Sequence, residues 1–516
     1  MNKLFLTIDV GTQSTRALVF DVDGQLKARA QVPIEPAYLS PHPGWAEQDA
    51  DAYWRAITTA CLQLWDQVDP KGIAGMALTT MRGTVVSTDE GGQPLRPAIL
   101  WLDQRKCTQP PPMGPLWGMA LRAARATDLM AHFQRTAEAN WLAQHEPVLW
   151  ARTSRFLLLS GFLTHKLVGE FVDSVGSQVG FLPFDYKRLQ WAHRLSFHWR
   201  AVCIGAEQLP RLVEPGKTLG LLTADAAKVL GLPAAVPVIA AAADKACEVL
   251  GCGALDGDTG QLSFGTTATI NTTQSKYVEV QQGLPAYPAA VPGAYTTEVQ
   301  IHRGFWMVSW FKREFAHREQ ALAEQKGVAP ESLFDELVRS VPPGSMGLTL
   351  QPYWSPGVRE PGPEAKGAII GFGDVHTRAH LYRAILEGIA YGLRGGRDQI
   401  ERKLGRKLRR FIASGGGSRS DAVMQITADV FGHPIERPSI ADTSGLGAAI
   451  NIAVGLGVYP GYADAVKAMT RIGDVFQPDP AATRTYDALY RDVYRELYPR
   501  LRPLYERIRA ITGYPE

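Results

Sequence analysis

Leu4-Phe5-Leu6-Thr7-Ile8-Asp9-Val10-Gly11-Thr12-Gln13-Ser14-Thr15-Arg16-Ala17-Leu18-Val19-Phe20 holds two apolar runs, and the polar residues of the stretch crowd between them. Alternation and β-branching predict strand, tight turn, strand. Between Asp9 and Arg16 lie one carboxylate, one glycine, three hydroxyls and a cation. Hydroxyls and backbone N–H groups suit phosphate oxygens, and glycine lets a backbone come close to them. A carboxylate at a strand end suits a hydrated Mg²⁺. Asp and Gly also favour ordinary hairpin turns. Taken alone, the segment fits either reading.

Working outward, strands are expected at 3–10, 15–21 and 25–32, with Asp23-Gly24 turning the second hairpin. A helix is expected over 50–67, where Tyr53, Trp54, Ile57, Cys61 and Leu64 fall at helical spacing. Strands follow at 73–79 and near 97–101, and residues 120–170 read as mostly helical. Val236 to Ala243 reads as a buried strand ended by Asp244, and Lys245 to Leu250 as the start of a helix. Glycines 251, 253 and 257 then loosen the chain, and a domain boundary is placed there.

Beyond that boundary the opening device returns. Gln261 to Phe264 forms a strand, Gly265-Thr266-Thr267 its turn, and Ala268 to Asn271 the next strand, which suggests internal duplication. A long helix is expected at 379–404, then a strand at 409–414 running into Gly415-Gly416-Gly417-Ser418, with helices opening at Asp421 and after Ser444-Gly445-Leu446-Gly447.

The chain has 516 residues, more than one core accommodates, so two or three domains are expected. It is 45% hydrophobic and 20% charged with a net charge of +3, a globular composition that argues against nucleic acid as a partner. No apolar run nears the ~20 residues of a membrane span, and the short N-terminal run that meets Asp9 is not a signal peptide. Five scattered cysteines form no disulfide framework and no zinc spacing, so a cytoplasmic location is expected. The basic cluster Arg402, Lys403, Arg406, Lys407, Arg409 and Arg410 reads as a solvated helix end.

There is no Walker A motif and no G-x-G-x-x-G after a strand. Three Gly or hydroxyl turns, at 11–15, 265–267 and 415–418, could instead clamp a nucleotide between two lobes. Asp244 is either a helix N-cap or a catalytic group at a strand's C-terminal edge. In the second role it would accept a proton from a hydroxyl attacking phosphorus. Lys245 beside it reads as a helix-surface residue.

These blocks, in this order, resemble the FGGY family of carbohydrate kinases, most closely its xylulose-kinase-like branch. Asp9-x-Gly11-Thr12 with Ser14, Thr15 and Arg16 resembles the first phosphate loop. PHPGWAEQD at 41–49 and Pro97 to Arg105 resemble the family's Pro-Trp-acidic loop and Trp-Asp-Arg segment. Ala243-Asp244 takes the place of the catalytic base, and Gly265-Thr266-Thr267 that of the second phosphate loop. Gly367 to Gly371 with His380 to Glu387 resembles the C-terminal signature, and Gly415 to Ser418 the adenosine loop.

The resemblance implies an α/β fold of two actin-like, ribonuclease-H-like lobes with the active site in the cleft between them. Residues 1–252 would be the sugar-binding lobe and 253–516 the ATP-binding lobe. It implies an ATP- and Mg²⁺-dependent kinase acting on a terminal hydroxyl of a ketose, such as xylulose or ribulose, or a polyol. Asp244 would be the base, and Asp9 the catalytic metal ligand. Gly11, Thr12, Gln13, Ser14, Thr15, Arg16, Gly265, Thr266 and Thr267 would meet ATP phosphates; Gly416, Gly417 and Ser420 would border adenosine. Met81, Arg82, Trp101, Asp103 and Asp244 would meet the sugar. A homodimer is the expected assembly.

Three positions depart from the family pattern. Met81-Arg82 stands where xylulose kinases carry Met-His, and Gly83 argues against glycerol. The Arg82 fork also suits a carboxylate. An aldonate such as gluconate, a tetritol or an autoinducer-type sugar is therefore an alternative substrate. Ser355-Pro356-Gly357-Val358-Arg359 replaces a Gly-Glu-Arg motif and lacks its glutamate. Phe372 replaces a smaller aliphatic residue and reads as a packing variation. An inactive sugar- or nucleotide-binding protein on the same fold is the alternative of another class; Asp9 and Asp244 argue against it. The sugar-side blocks at 41–49 and 97–105 argue against an actin-like polymer or a chaperone ATPase.

Overall fold

The computed structural model describes residues 3–281, 283–327, 330–357 and 361–514. The opening stretch folds as its pattern predicts. β1 (Leu4–Val10) and β2 (Ser14–Phe20) form an antiparallel hairpin that sets Asp9 opposite Arg16 and Val10 opposite Thr15. β3 (Leu26–Pro33) extends it, β4 (Ile73–Thr80) pairs parallel on the other side of β1, and β5 (Thr218–Leu221) and β6 (Pro237–Ala240) finish the sheet. The order is β5-β6-β4-β1-β2-β3. β1 is buried from Phe5 to Val10, as a central strand covered on both faces should be.

The second sheet repeats the plan. β7 (Thr259–Phe264) and β8 (Ala268–Gln274) make the hairpin, β9 (Tyr295–Ile301) extends it, and β10 (Arg410–Ser414), β11 (Ile435–Pro438) and β12 (Ile472–Phe476) complete the other side. β10 lies parallel to β7 as β4 does to β1, and β11 lies parallel to β10 as β6 does to β4. The Gly-Thr echo read from the sequence is therefore the start of a duplicated topology. Each sheet has its own large apolar cluster.

Helix α1 (Ala50–Leu64) starts at Asp49, whose carboxylate accepts from the Asp51 N–H at 3.0 Å. Its apolar face, with Tyr53, Ile57, Cys61 and Leu64, joins the core of the first sheet. α2 (Asp244–Gly251) follows β6, α3 (Arg378–Leu404) crosses the second sheet, and α4 (Asp421–Phe431) and α5 (Thr443–Gly455) follow β10 and β11. α5 is late in sequence but packs on the first sheet. Leu446, Ala449, Ile450 and Ala453 share a core with Phe5, Leu18, Phe20, Ala77 and Ile239.

α5 also crosses α2 at backbone contact. A Cβ on Gly251 would stand 1.9 Å from the Thr443 carbonyl oxygen, and one on Gly447 1.9 Å from that of Cys247. Only glycine allows this approach.

Residues 120–170 are mostly helical as expected, with one strand, Arg155–Leu158, which pairs with Val85–Thr88, a long-range partner that local pattern does not reveal. The basic cluster is a solvated helix end as expected: Arg402, Lys403, Arg406, Lys407 and Arg409 are exposed, and Arg406, Lys407 and Arg410 pair with Asp258, Glu401 and Glu436. One expectation is corrected: Phe372 is 63% exposed with its ring edge-on to His376, so its size is not a core-packing variation. Val358 and Arg359 lie outside the described residues, and so does that part of the Gly-Glu-Arg departure.

All five cysteines are free, and four of them are buried. Among the described residues no helix is long and apolar enough to cross a membrane.

Candidate active site

Asp9 ends β1 and is 6% exposed. Arg16, its cross-strand neighbour, donates to its Oδ2 at 3.0 Å. Burial pushes the Asp9 carboxyl from 3.8 up to about 6; Arg16 opposes this, and Asp244 and Asp442 add to it. Asp442 lies just before α5 and also pairs with Arg29 at 3.0 Å. Asp9 is thus a buried carboxylate that shares the Arg16 guanidinium with Asp442 and has Asp244 near enough to raise it further.

Asp244 is the first residue of α2. The segment before it is held straight: Thr79, near the end of β4, donates to the Ala242 carbonyl at 2.8 Å, and the Ala243 N–H donates to Gly176 at 3.1 Å. Asp244 therefore sits beyond the carboxyl ends of β4 and β6, the edge at which parallel sheets bind ligands. Burial raises its carboxyl above the usual range, against the lowering pull of Lys245, Arg82 and the Lys245 N–H.

Lys245 is not the surface residue expected. Its Nζ donates to Glu248 at 3.0 Å and to Ser263. Ser263 and Ser414 donate to the two oxygens of Glu248 at 2.8 and 2.6 Å. The same Nζ lies 3.7 Å from where a Gly265 Cβ would be. The salt bridge and two hydroxyls compensate the burial of both charges. Through Lys245, α2 is tied to the second Gly-Thr turn.

That turn and the third form one wall. The Phe305 and Trp306 N–H groups donate to the Gly265 and Thr266 carbonyls at 3.2 and 3.3 Å. The Thr267 hydroxyl donates to the His302 carbonyl at 3.2 Å, while Thr266 is exposed. Gly415 has φ +88, and a Cβ there would press on the Phe264 backbone. A Cβ on Gly417 would meet the Phe305 ring at 2.4 Å, whereas Gly416 faces open space. Ser420 caps α4 and donates to Asp335 at 2.6 Å.

On the first turn, the Gly11 N–H donates to the Ser14 carbonyl at 3.0 Å. The Thr12 hydroxyl accepts from Trp101 Nε1 at 3.0 Å and donates to Met81 Sδ at 3.2 Å, so one hydroxyl links the first turn to Trp101 and Met81. Gln13 is exposed, and Ser14 accepts from Gln31 at 3.1 Å. Thr15 is fully buried beside Val10, because strand alternation turns it away from the face that carries Ser14 and Arg16. Its side chain is fully enclosed and offers no hydroxyl to a ligand at the turn, a correction to the expectation.

Asp103 is corrected too. Both its oxygens accept from the Arg105 guanidinium, at 2.8 and 2.7 Å, and one accepts from the Ala46 N–H at 2.7 Å. Its side chain is 3% exposed, so it has no free carboxylate for a sugar. Arg105 also reaches Glu47 at 2.7 Å and lies 3.9 Å over the Trp45 ring. The blocks 41–49 and 97–105 are thus one scaffold that presents Trp101, 43% exposed, beside Thr12.

Sequence reading missed Glu298. It lies on β9, its side chain 3% exposed, and accepts from Arg82 Nη2 at 2.8 Å. Tyr287 lies under the Arg82 guanidinium at 5.0 Å, and Tyr186 meets Tyr287 edge-on at 6.0 Å. A glutamate in a strand carries no motif signal, and its partner is 216 residues away. Glu248 did leave a trace: four residues after Asp244 on a helix, it lies on the same face.

A duplicated two-sheet α/β fold with buried carboxylates beyond the strand ends and Gly-rich turns facing them defines the two-lobe, actin-like phosphotransferases. Within that class, residues 4–251 match the N-terminal domain of the FGGY family of carbohydrate kinases, and residues 260–456 match its C-terminal domain. The chain belongs to this family, in its xylulose-kinase-like branch, and is an ATP-dependent carbohydrate kinase.

It is 31% identical over 503 residues to "Uncharacterized sugar kinase YgcE" of Escherichia coli K12, covering 96% of this chain and 93% of that one. It is 28% identical over 501 residues to the xylulose kinase of Lactococcus lactis strain IL1403, covering 96% of each. The solved xylulose kinase from Rhodospirillum rubrum superposes with a TM-score of 0.80 at 28% identity, covering 98% of this chain and all of that one.

Proposed function

We propose that the enzyme transfers the γ-phosphoryl group of ATP to a terminal hydroxyl of a ketose, of the pentulose kind, or of a polyol. Asp244 is the general base. Residues 1–252 carry the sugar, and residues 253–516 most of the nucleotide, with α5 crossing back to brace the first sheet. The relatives named xylulose kinase support the acceptor class.

The observation that carries the reading is the placing of Asp244 beyond the ends of β4 and β6, between Arg82 on the sugar side and Lys245 toward the Gly265 turn. Its burial raises the carboxyl toward the range where a base works at neutral pH. The substrate hydroxyl gives its proton to Asp244 as its oxygen bonds to phosphorus, and the bond from phosphorus to the ADP oxygen breaks. The turns at 11–15 and 265–267 hold phosphate oxygens, while Lys245 keeps a positive charge at the second turn. Positioning and charge neutralisation do most of the work in such transfers.

The donor set fits Mg²⁺. Asp9 is a buried carboxylate with Asp244 and Asp442 close enough to raise it, and Arg16 occupies one of its oxygens. Among the described residues no group of three or more His, Cys, Asp or Glu forms a metal cage. Mg²⁺ characteristically takes one or two carboxylates and completes its shell with water and phosphate oxygens. Asp9 would hold it, and the ion would neutralise phosphate charge.

The test is ADP release with Asp244→Asn across pentuloses, polyols and aldonates. Turnover should fall by about 100-fold to 10,000-fold while ATP still binds. Near-native turnover would rule Asp244 out as the base.

A further inference from the structure

Arg82 is the one sugar-side cation that departs from the xylulose-kinase pattern, and its surroundings show what that change does. Its guanidinium is 18% exposed, bonds Glu298 at 2.8 Å and lies on the face of Tyr287. Arg82 follows β4 of the first sheet, and Glu298 lies on β9 of the second, so the pair spans the cleft. Asp244 and Lys245 both act on Arg82 electrostatically. Lys245 is neutralised by Glu248 at 3.0 Å, and Arg82 by Glu298. With those two pairs formed, Asp244 gives the group one net negative charge, which Lys245 and Arg82 still favour. An acidic substrate entering here would meet a cation already paired and a carboxylate that must stay ionised.

We propose that the Arg82–Glu298 pair determines substrate specificity. Glu298, reaching across from the second sheet, cancels the charge of Arg82, so that the pocket takes a neutral polyhydroxy substrate and rejects aldonates. The inference rests on the kinase reading above and names the substrate class of the same site. Arg82 acts as a hydrogen-bond fork for hydroxyls rather than as an anion trap. Tyr287 holds the plane of the fork, and Tyr186 backs Tyr287 with its own hydroxyl bonded at Gly180. A buried guanidinium stripped of its carboxylate would seek another anion.

The experiment measures kcat/KM for ADP release with xylulose, ribulose, xylitol, gluconate and xylonate, in wild type, Glu298→Gln and Arg82→Gln. Wild type should prefer the neutral sugars. Glu298→Gln should shift the aldonate-to-ketose ratio toward aldonates by at least about tenfold. Arg82→Gln should lose activity on neutral sugars with no gain on aldonates. That asymmetry is the signature, since a merely structural pair would lower every substrate alike in both variants. If wild type prefers neutral sugars but Glu298→Gln leaves the ratio unmoved, the specificity role falls and the kinase reading stands. If wild type prefers aldonates, both the specificity role and the ketose reading fall. Should Glu298→Gln fail to fold, Glu298→Asp retains the charge on a shorter arm and should keep the wild-type preference for neutral sugars; a shift of the ratio toward aldonates there, or Arg82→Gln lowering all substrates equally, would overturn the proposal.

Discussion

Replacing Asp9 by Asn should remove activity and add stability at the same time. The carboxyl is pushed from 3.8 up to about 6 mainly by burial. A carboxylate with a raised folded-state value binds its proton more tightly folded than unfolded. Its cost is absent when both states are protonated and grows as pH rises through the window from 3.8 to about 6. Above that window the ionised group costs about 3 kcal/mol in the folded chain. Asn is neutral at every pH and keeps an oxygen for Arg16. Asp9→Asn should therefore unfold at higher urea than wild type at pH 8, with an advantage of up to about 3 kcal/mol, and at pH 5 the advantage should fall to about half. Both proteins are measured ligand-free, because bound nucleotide or cation would compensate the wild-type charge. Turnover should drop by about 100-fold or more in the same variant. A lower urea midpoint at pH 8, or an advantage identical at pH 5 and pH 8, would falsify the view that Asp9 is a desolvated charge that Arg16 only partly offsets.

Other expectations follow from the same geometry. If Asp244 is the base, the acid limb of kcat/KM should lie above the ordinary carboxylate range, because burial raises its carboxyl; a limb near pH 4 would contradict this. Gly251→Ala should destabilise the chain by about 3 kcal/mol, because its Cβ meets the Thr443 carbonyl and a backbone cannot yield as a side chain does; thermal unfolding close to wild type would refute the tight α2–α5 crossing. Glu248→Gln leaves Lys245 with the Ser263 hydroxyl and only the Asp244 charge, without its salt-bridge partner, which should cost about 3 kcal/mol in urea unfolding; a neutral result would mean that Lys245 moves out to solvent. Gly417→Ala should raise KM for ATP more than KM for sugar, because it displaces Phe305 beside the second and third turns; equal effects on both would place adenosine elsewhere.

Much of this molecule was legible because its signals are local. The hairpin of β1 and β2, its echo at β7 and β8, the helix after Asp49 and the glycine turns each depend on residues within a few positions of one another. The same holds for Asp9 and Asp244, which end apolar runs in a way that spacing alone reveals. Reading failed where position depended on a distant partner. Asp103 looked like a sugar ligand until Arg105 and Ala46 took both its oxygens. Lys245 looked exposed on a short helix, and only the second sheet, arriving with Ser263, covers it. Thr15 was assigned by motif, although the pleat points it inward.

By itself, then, the sequence determined the order of strands and turns, the duplication, the family, and which carboxylates end the central strands. Those follow from period, turn chemistry and short spacing. Only the tertiary structure decided that α5 returns to the first sheet, that Glu248 holds Lys245 beside Gly265, and that Glu298 meets Arg82. An ion pair between residues 216 positions apart leaves no local pattern. It exists because two sheets bring one strand end and one strand face together, and desolvation there makes each charge require the other.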